Sequence, residues 1–322
     1  MLEHDLEGPE AYRAAAQELV LTQRAEEAES VIREGLRRYP GDLDIQSWLP
    51  QAVLMQGRWR DGFREFESRA PRREIVARRL ATPEWEGPIA GRSILVWGEQ
   101  GIGDEIQTIR FVRDLRALGA SKIHVACSTP NVRAFEQLDV DRVADRSSET
   151  FSVPRHDYWV KAWSIPHRLG LDVADVSGRP YLQAEATRVG GVGLVERGNP
   201  NNPRDANRSL PEGLLQRLVP QGELLQPVGD TYDSLCRLAG LDLLITVDTS
   251  WAHMAGALGV PCWLLLPFRH LDWRWLRHRS DTPWYDSLRL FRQPGAGDWT
   301  PVLEEVRAAL AAFEPAARVR QL

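Results

Sequence analysis

Two short stretches concentrate the side chains able to do acid–base or phosphate chemistry. Residues 98–105, GEQGIGDE, place Glu99, Asp104 and Glu105 in a glycine-rich loop behind the apolar run at 93–97. The glycines do not match GxGxxG, and no lysine makes a P-loop. Carboxylates at the start of a helix already satisfy its dipole and repel a phosphate. The loop therefore suits taking a proton from a hydroxyl or holding a cation; a plain helix cap at Asp104 is the alternative. Residues 248–261, DTSWAHMAGALGVP, have the reverse character. Thr249 and Ser250 offer hydroxyls at the N-terminus of a short helix carrying His253, and free backbone N–H groups point the same way. Each helix-end charge interaction is worth roughly 0.3–1 kcal/mol, so a diphosphate would gather several. Asp248 orients this loop through backbone N–H bonds. The alternative is an ordinary N-cap with a half-buried histidine.

These loops need strands behind them. From Ser93 the chain alternates apolar runs and helical stretches: strands at 93–97, 122–127, 192–195, 243–247 and 262–266, with helices reaching about Leu118, near 131–138, and at 211–219, 232–239 and 253–258. Alternating β and α elements imply parallel sheets, and two separate series imply two Rossmann-like domains. Ligands of such sheets bind beyond the carboxyl ends of the strands, where both loops fall. The first 70 residues are helical in pattern. Arg24 to Ala28 and Ile32 recur 34 positions later as Arg58 to Gly62 and Phe66, a period like that of tetratricopeptide repeats. Two units leave faces uncovered, so these helices dock on the rest of the chain. Residues 69–80 are arginine-rich and read as a linker.

The 322 residues allow several domains. With 40 basic and 45 acidic residues, net charge −5, no nucleic-acid footprint is implied. Nearly all positive charge is arginine, so phosphate contacts fall to guanidinium forks. Cys127, Cys236 and Cys262 have no metal-type spacing. The polar N-terminus and short apolar runs point to a cytoplasmic protein without a membrane span.

Four segments together, WGEQGIGDEIQTIRF, GNPNNPRDANRS, DLLITVDTSWAHMAGALGVPCWLLLP and DWRWLRHRSDTPWYDSLRLFRQ, resemble tetratricopeptide-repeat proteins whose catalytic part is similar to family 9 glycosyltransferases, the heptosyltransferase group. The resemblance covers about residues 10–313. It implies a GT-B fold, two Rossmann-like domains facing a cleft: a helical region and linker at 1–80, an acceptor domain at 81–187 and a nucleotide-sugar donor domain at 188–322. Asp104 falls on the family's general base. Asp248, Thr249 and His253 fall on the donor-phosphate motif, with Ser250 where glycine is usual. Arg208 lies near a basic phosphate contact, and Asn199 follows the first strand of the donor domain. Gln100, Gly103, Trp251, Trp273 and Trp275 are candidates to line the cleft; Trp273, Trp275, Trp284 and Tyr285 either meet sugar or base, or pack the core. Glu196-Arg197 and Trp251 depart from the family pattern near the donor.

The resemblance implies inverting transfer without a metal or other cofactor, with a nucleotide-diphosphate sugar as co-substrate. Asp104 takes the proton of an acceptor hydroxyl, while His253, Arg208 and the helix N-terminus stabilise the leaving diphosphate. The acceptor is a peptide, protein, glycan or small molecule; no nucleic-acid partner is expected. The competing reading is an inactive repeat protein that scaffolds partners through a transferase-like fold.

Overall fold

The computed structural model describes residues 6–69, 80–148, 150–203 and 205–315. The linker read at 69–80 lies outside them except for its two end residues. The chain begins with helices α1 (Gly8–Leu21), α2 (Ala25–Arg38), α3 (Leu43–Gln46), α4 (Leu49–Met55) and α5 (Trp59–Phe66). In α2, Glu26 and Glu27 open the helix and Arg37 and Arg38 close it, matching its dipole. One face buries Ala25, Ala28, Val31, Ile32 and Gly35.

The second helices of the two pairs, α2 and α5, start 34 positions apart, but a regular tetratricopeptide repeat is not seen. Where α1 has 14 residues, the second pair has a four-residue α3 and a seven-residue α4. Asp42 caps α3 by accepting from the N–H groups of Asp44 and Ile45, and Pro50 starts α4 afresh. Gly62 lets α5 close on α4, since a Cβ there would sit 2.5 Å from the Leu54 side chain.

Two parallel sheets follow, as the alternating pattern implies. The first has the order β3-β2-β1-β4, from β1 (Ser93–Trp97), β2 (Lys122–Cys127), β3 (Arg142–Asp145) and β4 (Tyr158–Lys161). The second has the order β6-β5-β7-β8-β9, from β5 (Val192–Val195), β6 (Glu223–Leu224), β7 (Leu243–Val247), β8 (Cys262–Leu266) and β9 (Leu288–Arg292). Strands β1, β2, β5, β7 and β8 stand where the apolar runs put them. β7 and β8 are buried at every position, as strands covered on both faces must be.

Helix α6 (Ile102–Thr108) follows β1, α7 (Ser250–Leu258) follows β7, and α8 (Thr300–Ala311) packs on β9. One apolar core runs without a break from the N-terminal helices through the first sheet to one face of the second. Among the described residues the two halves thus share a packed seam. Among the described residues no helix is long and apolar enough to cross a membrane.

Candidate active site

The three acids of the first loop have different fates. Glu105 is buried and holds the turn after β2: it accepts from Ser128 N–H and Oγ–H (3.0 and 2.6 Å), Asn131 Nδ2 (2.8 Å) and Arg146 Nε (3.0 Å). Glu99, also buried, accepts from Arg69 at 2.9 Å and from the Trp163 N–H at 3.1 Å. Asp104 sits in the first turn of α6. Its Oδ2 accepts the Gly101 N–H at 3.0 Å, so the capping role is real, while Oδ1 faces the other half of the molecule and accepts from Arg274. Burial pushes its carboxyl above the ordinary aspartate value, against the pull of Arg274.

The two loops singled out in the sequence meet. A Cβ on Gly103 would lie 2.8 Å from His253 Cδ2 and 3.3 Å from Ser250 Cα, so only glycine lets α6 lie this close to α7. His253 is buried, stacks on Trp275 at 5.4 Å, and its Nδ1 lies 2.9 Å from the Tyr285 hydroxyl. Burial, with Arg274 nearby, holds its pKa down to about 3. Tyr285 stays protonated because burial raises it well above 10. The imidazole is therefore neutral at physiological pH and brings no positive charge.

Arg274 is the charge at this seam, and no motif pointed to it. Its buried guanidinium donates to Asp104, to Asp272 (2.8 and 2.9 Å) and to Gln107 Oε1 (2.5 Å). It lies against Trp163 and Trp273, 4.6 and 4.8 Å from their ring centres. Sequence reading counted the rings of DWRWLRHRS and passed over the arginine between them, whose partners Gln107 and Asp104 stand 167 and 170 positions away.

Beyond β7 the structure gathers part of the expected phosphate site. A cavity of about 100 Å³ is lined by Asn202, Asn207, Arg208, Asp248, Pro267, His270 and Asp272. Thr249 is the N-cap of α7 and Ser250 its first residue. Arg208 donates to Asp205 at 3.0 Å and to the Asp248 carbonyl at 2.6 Å. Burial and the neighbouring Asp272 carboxylate raise Asp248 to about 6. Asn199 is exposed and turns inward on its own loop, accepting the Asn201 N–H; Asn202 and Asn207 line the cavity instead. Glu196 is committed to structure, accepting the Gly213 N–H at 2.8 Å ahead of the helix at 214–218.

Trp251, Trp273 and Trp275 are buried, not exposed on a cleft wall. Trp273 belongs to an aromatic cluster in which Trp59 stacks on Trp284 at 4.9 Å, and Phe63, Trp163 and Trp273 meet edge to face or stacked. The rings were available for packing because three layers converge there: α5, the turn after β4, and the segment before β9. Gln100, with left-handed backbone (φ 61°), does line an opening: a groove of about 580 Å³ against Leu43, Gln46, Pro50, Phe66 and Arg69. Among the described residues no group of three or more His, Cys, Asp or Glu side chains is arranged to hold a metal.

No family model matches the chain. Among curated proteins it is similar to Protein FlbA of Caulobacter vibrioides, 24% identical over 347 residues, which cover 87% of this chain and 58% of that protein. The chain thus spans little more than half the length of this curated relative. Among solved structures it is similar to a family 9 glycosyl transferase from Veillonella parvula, at 13% identity and a TM-score of 0.45 over 70% of this chain and 93% of that one. It is also similar to the E. coli ADP-heptose heptosyltransferase II (14%, TM-score 0.46, 68% and 99%) and to E. coli heptosyltransferase WaaC with ADP (12%, TM-score 0.47, 68% and 99%).

Proposed function

We propose that the chain is a glycosyltransferase of GT-B type, inverting and metal-independent, moving a sugar from a nucleoside-diphosphate donor to a hydroxyl. The observation that carries this reading is the meeting of the Asp104 and His253 loops. They come from strand ends of two different sheets, and Asp104 alone of the three first-loop acids turns an oxygen toward the other half. The four motifs in register support it, and they assign the acceptor side to residues 81–187 and the donor side to 188–322. The helices within residues 1–80 are read as a tetratricopeptide-like region.

In the proposed step the acceptor hydroxyl oxygen bonds the anomeric carbon as its proton passes to Asp104. The bond from that carbon to the diphosphate breaks on the opposite face, with inversion. Negative charge then grows on the leaving diphosphate. Arg208, the Thr249 and Ser250 hydroxyls and the N-terminus of α7 face it, electrostatic stabilisation of the kind that commonly dominates such reactions. His253 contributes as a neutral hydrogen-bond donor. Asp104→Asn should remove transfer while leaving the fold intact, by circular dichroism; full activity in that variant would sink the assignment.

One observation favours the scaffold reading. The strand-end cavity is small and holds two carboxylates, Asp248 and Asp272, against Arg208. Thermal shifts with UDP, ADP, GDP, CDP and TDP and their sugars separate the two. A nucleotide at about 1,000 times its Kd adds roughly 4 kcal/mol to stability. One nucleotide should stabilise the wild type and fail with Arg208→Gln; silence from every nucleotide would point to a scaffold.

A further inference from the structure

The Asp104 carboxylate does not stand alone: the buried Arg274 guanidinium holds it. We propose that Arg274 is a positioning residue: packed against Trp163 and Trp273, it binds Asp104 from the first half and Asp272 from the second, and so fixes the direction of Asp104 and ties it to the loop lining the strand-end cavity. This rests on the reading of Asp104 as the base.

Three observations carry it. The guanidinium reaches across the seam, with Gln107 and Asp104 on α6 and Asp272 two residues before it. It is buried against two indole rings, 4.6 and 4.8 Å from their centres, so it cannot leave its partners without disturbing the aromatic cluster. Asp272, in turn, lines the cavity with Asp248 and Arg208. A chain of direct contacts therefore runs from that cavity through Asp272 and Arg274 to Asp104. A lysine cannot replace this arrangement, because a point charge does not grip two carboxylates and an amide in one plane.

The charges acting on Asp104 are Arg274 and Asp272; Asp248 acts in turn on Arg274, and Arg110 on His253. Arg274 favours ionised Asp104 and Asp272 opposes it. The positioning role therefore makes opposite predictions for the two partners, and neither needs turnover. With aspartate labelled at its carboxyl carbon, the Asp104 resonance is the one lost in Asp104→Asn. Its titration midpoint should rise by about one pH unit or more in Arg274→Gln, since an opposite charge at this range shifts a carboxyl by roughly 1–3 units. It should fall in Asp272→Asn, which removes the carboxylate that opposes ionised Asp104. Should Arg274→Gln not fold, Asp272→Asn still decides. A midpoint unmoved in whichever variant folds would overturn the proposal.

If the wild type transfers sugar, Arg274→Lys should lose kcat far more than it raises KM, and the acid limb of its pH profile should follow the Asp104 midpoint. A wild type without transfer would count against the proposed function and leave the titration result standing.

Discussion

His253 and Asp248 stand five positions apart and prefer opposite protonation states on folding. Folding lowers His253 to about 3 from an ordinary 6.5, so as pH falls the unfolded chain takes up the proton first. Its contribution to stability is whole above pH 6.5 and is lost toward pH 3, by about 1.4 kcal/mol per pH unit. Asp248 is raised from 3.8 to about 6, so the folded chain takes up the proton first and stability is gained as pH falls from 6 to 3.8. Between pH 6 and 4 the two slopes cancel. Urea midpoints should fall with acidification in Asp248→Asn and rise in His253→Gln; parallel slopes in both variants and the wild type would refute this. Gly103→Ala tests the seam itself. Its Cβ meets the His253 ring, so it should cost about 1–3 kcal/mol by overpacking, read from urea denaturation. At this scale the sequence displayed Asp104, Thr249 and His253, because each sits in a loop whose composition is unusual. It did not display Arg274, whose meaning comes wholly from partners distant in the chain, nor the different fates of Glu99 and Glu105.

At the scale of elements, the helical layer is held by rings and by the largely buried Arg69–Glu99 pair rather than by its exposed ion pairs. Glu18 with Arg269 and Glu26 with Arg277 join its first turn to the loop after β8, yet Glu18 and Glu26 are largely exposed. Such pairs contribute about 0–1 kcal/mol. Trp59 and Phe63 are fully buried against Trp273, Trp284 and Trp163. Trp59→Ala should therefore cost about 3–5 kcal/mol in chemical denaturation, and Glu18→Ala under about 1. Comparable losses in the two variants would show that the ion pairs, not the rings, hold the layer. Long apolar runs such as 243–247 and 262–266 were legible as strands because burial on both faces leaves no polar position. β3 is four residues with charged ends, and β6 only two, too short for any period to show. β9 alternates as Leu-Arg-Leu-Phe-Arg, but it lies in a tail whose aromatic density drew the reading toward ligand contacts. The 34-residue period located α2 and α5 and overstated the rest, since a break at Ser47 and Trp48, with Pro50 opening α4, divides what would have been one helix into two.

The helical layer, the first sheet and one face of the second sheet share one core, while the other face of the second sheet packs its own cluster with Leu215, Trp299 and Val306. The shared apolar cluster includes Tyr12, Phe63, Val96, Trp163, Leu244 and Leu290, drawn from the helical layer and both sheets. The shared cluster is broken if either the helical layer or one of the sheets leaves, so unfolding should be a single transition, with far-ultraviolet dichroism and tryptophan fluorescence changing together; two separated steps would contradict it. The seam was beyond sequence reading, because it depends on Gly103 meeting Ser250 and His253 in space. The aromatic cluster also sets an order of events during synthesis. Trp59 and Phe63 leave the ribosome about 200 residues before Trp273 and Trp284, which at about 5–20 residues per second is roughly 10–40 s. Throughout that interval two large rings wait without the partners that cover them, and the nascent helices are where a chaperone would find its grip.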